Sequence, residues 1–228
     1  MPSILTTLAQ GSAPFISTFL LVHLSAPIMA NLGGASLASQ AMILGREYYQ
    51  TSFGHRFLVV IPILTHGLSA TAKRIMGNSR SRPLRNAFSI AGYATMFFLL
   101  PQHYLLHHIL PSNPNPPILA VSPSELDHEY VKFGLQKWPL INWCLYAGLT
   151  IAVVWHATEG SRIMWNTWLA GKAGVWKKNA GRHVATVIAG VLPVLTGLFA
   201  ISREPLMIFA STAERYDAAF RQHFFFRL

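Results

Sequence analysis

Charge is what this sequence has least of. Asp, Glu, Lys and Arg make up 11% of its 228 residues, against roughly 25% in a typical soluble domain. So sparse a supply cannot clothe a solvated surface. With 52% hydrophobic residues and a mean hydropathy of +0.36, lipid is the expected solvent for much of the chain. Acids are scarcer still, eight against 18 Lys and Arg. Glu159 alone lies near an apolar stretch, so paired-carboxylate catalysis has no candidates. Cysteine occurs once, at Cys144, which excludes an intrachain disulfide and any CxxC metal or redox motif. No nucleophile elbow, phosphate-binding loop or zinc spacing is present. The net charge of +10 does not gather on one helix face, as a nucleic-acid partner would require. The basic residues sit in short loops beside apolar stretches, where they fix orientation in a bilayer. Residues 1–13 carry no charge, unlike the basic start of a secretory signal or an Arg-rich presequence. The first helix is therefore expected to remain as an anchor.

What is present is a set of apolar runs. A spanning helix needs about 20 mainly apolar residues, and five runs approach that: 14–31, closed by Gly33-Gly34; 57–72, ended by Lys73-Arg74; 87–110, interrupted by Pro101; 138–160; and 183–201. These predict an all-α polytopic membrane bundle of five transmembrane helices. Residues 1–13 would be a short N-terminal segment, 14–202 the membrane domain and 203–228 a tail. In that tail, Tyr216, Phe220 and Phe224 recur at i, i+4 and i+8, the pattern of an amphipathic helix lying at the interface. Residues 35–56, with Arg46, Glu47 and two tyrosines, and 111–136, rich in Pro and Ser, are expected to be loops. Five spans put Lys73, Arg74, Arg80, Arg82 and Arg85 on the same side as Arg162, Lys172, Lys177, Lys178 and Arg182. Every acid except Glu159 falls on the other side. By the positive-inside rule the basic side, shared with the N-terminus, is cytosolic.

Titratable groups inside a membrane are costly and mark functional sites. Four runs each hold a histidine: His23, His66, His103 and His156. His66, Ala70 and Lys73 share one helix face; His156 is followed by Gly160 and Arg162; Gly92 and His103 are three turns apart. A flat apolar macrocycle with two carboxylate tails needs axial imidazoles, small residues at its faces and cations at its edge. These residues predict a haem b between the second and fourth spans, with His66 and His156 on its iron and Lys73, Arg74 and Arg162 toward its propionates. His23 and His103 are further candidate ligands. The string His103-Tyr104-Leu105-Leu106-His107-His108 also looks like one histidine box of di-iron membrane oxygenases, which need several such boxes, and no other is present. His107 and His108 are expected at the interface, and His55, His128 and His223 as loop residues.

Two resemblances bear on identity. The string Ala91-Gly92-Tyr93-Ala94-Thr95-Met96-Phe97-Phe98, followed by His103 and Pro111, resembles a span of fumarate reductase cytochrome b subunits. His156-x-x-x-Gly160-x-Arg162 is similar to the haem-ligand motif of succinate dehydrogenase membrane anchors, whose first span the stretch from Ser17 to His23 also resembles. The resemblance to two-haem cytochrome b subunits implies that His66 pairs with His156 and His23 with His103 on two haem irons. Over 14–202, the segments STFLLVHLSAPIMANLGG, ILGREYYQ and HGLSATAKRI resemble the membrane domain of a fungal mitochondrial outer-membrane adaptor family. That resemblance implies a cytochrome-b-like bundle, a place in the mitochondrial outer membrane, a part in lipid homeostasis at membrane contacts, and a bridge-like lipid-transfer protein as partner alongside membrane lipids. The family recruits that partner through a cytosolic Pro-x-Pro segment ahead of the first span. Pro114-Asn115-Pro116 is the clear candidate here, and the charge pattern puts it on the far side. The alternative function is a redox cytochrome b subunit serving a dehydrogenase.

Overall fold

The computed structural model describes residues 3–76 and 86–227. Arg80, Arg82 and Arg85, part of the charge argument, lie outside the described residues. All regular structure within them is helical.

Helix α1, Ile4–Tyr49, opens on Ser3, whose hydroxyl accepts from the Thr6 amide. It starts ahead of the expected boundary, taking in most of 1–13, and it is two arms rather than one. Gly33 (φ −147°) and Gly34 (φ 60°, ψ −156°) leave helical geometry, and the second arm folds back on the first. Tyr49 packs edge-on against Phe19 and His23, with ring centres 5.5 and 5.7 Å apart. Gly45 faces Val22, and Ala30 and Ala38 share one buried cluster with Ile201. The stretch expected as a loop is thus a returning helix. Its alanines and glycines allow the close approach, and the Glu204 carboxylate accepts from the Ala35 amide at 2.9 Å, capping the second arm.

Helix α2 covers 54–76, beginning with a π-helical stretch, Gly54–Val60, and continuing as Ile61–Met76. Helix α3 covers 87–109 and carries two π-helical stretches, Thr95–Leu99 and Leu105–Ile109, around Leu100–Tyr104. Pro101 does not interrupt it. The proline follows directly on the first wide π turn, which relieves the clash of its ring with the preceding carbonyl. A short helix α4, His128–Lys137, starts on the Asp127 cap within the expected loop. Pro139 occupies the first turn of α5, Pro139–Trp168, where its missing N–H costs nothing. After a single turn at Ala170–Ala173 come α6, Ala180–Arg203, and α7, Ala210–Gln222.

Among the described residues three helices, α1, α5 and α6, are long and apolar enough to cross a membrane. Only 11%, 17% and 28% of their most apolar windows are buried inside the protein, so most of that apolar surface faces outward. Helix α1 packs on α2 and α6, and α5 packs on α3 and α6.

The most completely buried core lies at one end of this bundle. Ile118, Val121, Tyr130, Phe133, Tyr216, Ala219, Phe220 and Phe226 close around Leu106, forming a cap from the 110–127 segment, α4, α7 and the chain end. Ion pairs stitch it together: Arg215 with Glu125, Lys137 with Asp217, and the buried Lys132 with Glu129 and Glu204. The expected interfacial helix is corrected by this packing. Tyr216 and Phe220 are 1% and 0% exposed, spent on protein rather than on lipid. Phe224 falls off their stripe because the helix ends at Gln222.

Candidate functional site

The four histidines meet in the two expected pairs. His66 of α2 and His156 of α5 have ring centres 5.9 Å apart; His23 of α1 and His103 of α3 are 5.8 Å apart. Two imidazoles on opposite faces of one metal lie roughly 6 Å apart, given metal–nitrogen bonds of about 2 Å. Edge-to-face packing of aromatic rings gives similar separations, so distance alone does not decide the role.

The ring nitrogens are more telling. His66 Nδ1 lies 2.6 Å from the Ala9 carbonyl oxygen, and His156 Nδ1 lies 3.1 Å from that of Phe88. A carbonyl only accepts, so both Nδ1 atoms carry a proton, and in the neutral ring the lone pair is then on Nε2. Metal-bound imidazoles are held in this way, with the second nitrogen donating to a backbone oxygen that fixes tautomer and orientation. Gly92 makes the contact to Phe88 possible, because a Cβ there would stand 2.7 Å from two atoms of the His156 ring. The Phe88 ring stacks on the same imidazole at 4.3 Å. These residues fit an axial pair.

The second pair is less completely furnished. His23 Nδ1 is buried without a partner, with Phe19 stacked on the ring. His103 adjoins His107, ring centres 4.6 Å apart, and His107 Nε2 lies 3.1 Å from the Tyr146 hydroxyl. A small enclosed cavity runs between His103, His107, Asn142 and Tyr146.

The HxxxHH string divides. His103 and His107 turn inward, while His108 turns to His55, 5.0 Å away between ring centres. Among the described residues no three His, Cys, Asp or Glu side chains form a metal-holding group. His107 is thus interior rather than interfacial. His128, expected in a loop, is buried in the cap with its Nδ1 unpartnered, and burial pushes its pKa down to about 4. His223 is also buried and meets the Gln102 side chain at 2.6 Å. No periodic signal separates these from surface histidines, because the partners come from distant segments.

The three cations are engaged within the protein. Lys73 donates to the Thr6 hydroxyl at 2.6 Å, Arg74 lies over the Tyr93 ring, and Arg162 pairs with buried Glu159 at 2.5 and 3.2 Å. Among the small residues, Gly92 serves His156 rather than His103. The π turn at Thr95–Leu99 lies between them and shifts the helical phase, so His103 faces α1 instead. Gly160 has room for a methyl group, and Ala70 is exposed. Comparison with protein-family models, curated proteins and solved structures finds no match for this chain.

Proposed function

We propose that this chain is a haem-b-holding membrane bundle of five spans, with His66 and His156 as the axial pair. The observation that carries the reading is the tethering of both Nδ1 atoms to backbone carbonyls, which leaves Nε2 as the ligating atom of two rings whose centres are 5.9 Å apart. His23 and His103 are the second pair, and Lys73, Arg74 and Arg162 lie on the helix ends nearest the first. The protein's own part is to present two neutral imidazoles in a fixed tautomer, to exclude water with packed apolar helices, and to hold cations at the helix ends. A bound haem b would supply one-electron chemistry.

The second and third spans of this proposal are the helical runs 54–76 and 87–109. Each is long enough for the hydrocarbon core despite its π turns. The N-terminus and 163–182 would face the cytosol, from the mitochondrial outer membrane. A part in lipid homeostasis, with a bridge-like lipid-transfer protein as partner, follows from the resemblance of 17–34, 43–50 and 66–75. Electron transfer as a cytochrome b subunit is the second reading, favoured by the presence of two edge-to-face imidazole pairs in one bundle. Co-purification separates them: a lipid-transfer protein supports the first role, a dehydrogenase the second. Low-temperature electron paramagnetic resonance of oxidised protein tests the ligation itself. Loss of one low-spin bis-imidazole component in both His66→Ala and His156→Ala is expected, with any component of the His23–His103 pair retained. A signal undiminished by both changes would contradict this pairing.

A further inference from the structure

The connection between α5 and α6 is a folded platform. Trp165 Nε1 donates to the Gly174 carbonyl at 2.9 Å. Asn166 grips Trp176 from both sides, donating to its carbonyl at 3.0 Å and accepting from its amide at 2.8 Å. The rings of Trp165 and Trp176 meet edge-on at 6.1 Å. Trp168 Nε1 donates to the Gln10 side chain at 2.6 Å, tying the platform to α1. From this frame Trp168, Leu169, Val175 and Trp176 stand exposed, interleaved with exposed Lys172, Lys177, Lys178 and Arg182. No acid occurs between Glu159 and Glu204.

Exposed indoles among uncompensated cations, at the end of a helix long and apolar enough to cross a bilayer, match one environment. Trp prefers headgroup depth, and cations there attract anionic lipid. We propose that this platform binds the anionic phospholipid headgroups of the protein's own leaflet. The leaflet follows from the fastening: the Trp165 and Asn166 bonds hold residues 174 and 176 down on the last turns of α5, so the lysines cannot reach away from the interface. The inference rests on α5 crossing the membrane and is independent of haem.

The test reconstitutes the full chain in phosphatidylcholine nanodiscs, where both faces see the same lipid and orientation plays no part. Failure to enter the discs would refute the membrane reading; the comparison of lipids addresses the platform. Spin-labelled phosphatidylserine and phosphatidylcholine are compared for the motionally restricted fraction. The serine lipid is expected to be enriched about fivefold at low salt, the scale of one cation's attraction, and to approach parity at high salt. Lys172→Gln/Lys177→Gln/Lys178→Gln should remove most of the enrichment, and Asn166→Ala, which keeps every charge, should reduce it. Enrichment unchanged in the triple variant overturns the proposal. Enrichment unchanged in Asn166→Ala assigns the effect to diffuse charge and overturns the folded site. Capture of separate anionic vesicles by protein in pure phosphatidylcholine discs would put the headgroups in another membrane and overturn the leaflet assignment.

Discussion

At the His66–His156 pair, both imidazoles are positioned by backbone carbonyls and a glycine, groups that sequence patterns do not mark. Gly92 is the clearest case: its missing Cβ lets the His156 ring reach the Phe88 carbonyl. Gly92→Val should therefore weaken haem retention by about tenfold or more, the usual cost of losing an outer-shell tie, measured as the haem-to-protein ratio after purification. Retention at the wild-type level would show that the carbonyl tie is dispensable. His128→Ala should leave the spectrum unchanged, since that imidazole belongs to the cap. The four histidines were legible as one per apolar run, and the His66–His156 pair from their matching depth; the pairing of His23 with His103 came from the resemblance to two-haem cytochrome b subunits. The acceptors of His66 and His156 were not legible, because Ala9 and Phe88 act through backbone oxygens that any residue carries. Two side-chain ties escaped for a related reason: Tyr146, which meets His107, comes from another helix, and Arg162, expected toward a propionate, pairs with Glu159 instead.

Among the elements, the hairpin of α1 and the cap are the parts that sequence patterns missed. Gly33-Gly34 reads as a helix end, which it is. That the chain then returns as a second helix depends on a tertiary contact, Glu204 capping Ala35. Gly34→Ala would force a side chain into φ 60° and set its Cβ 2.2 Å from Glu204 Oε1. A loss of about 2 kcal/mol is expected, the left-handed penalty plus some strain, seen as a lower Tm in detergent. An unchanged Tm would mean that the hairpin turn tolerates a side chain. The cap escaped because the stripe of Tyr216 and Phe220 has the same periodicity whether lipid or protein covers it.

The cap also carries a pH dependence whose sign can be worked out. His128 is held near 4, below its ordinary 6.5, by burial. The unfolded cap therefore binds the proton first, and stability present above about pH 6.5 is lost as pH falls toward 4. Glu125, held low by the Ser122 amide and Arg215, adds a loss at lower pH, while Asp127, raised by burial, works the other way. Faster hydrogen exchange over 118–133 at pH 4.5 than at pH 7, after correction for intrinsic rates, is expected. Substituting His128 with Asn should flatten the dependence. Equal protection at both pH values would contradict it.

For the whole molecule, sparse charge and long apolar runs specified a membrane helical bundle. Three of its helices meet the length and hydropathy a bilayer demands. The remaining two runs are broken into α and π segments, so their crossing rests on continuity of the helical path. In a Cys144→Ser background, Ala173→Cys should react with an impermeant reagent in intact organelles, and Ala120→Cys only after permeabilisation. Labelling of position 120 in intact organelles would sink the five-span topology. If the two imidazole pairs hold haem, an absorption spectrum shows it most directly. Wild-type protein purified from haem-replete cells should show a Soret band and, on reduction, a sharp α band. Absence of any Soret absorption from folded protein would mean that His23, His66, His103 and His156 are packing residues, and the cytochrome account would fail.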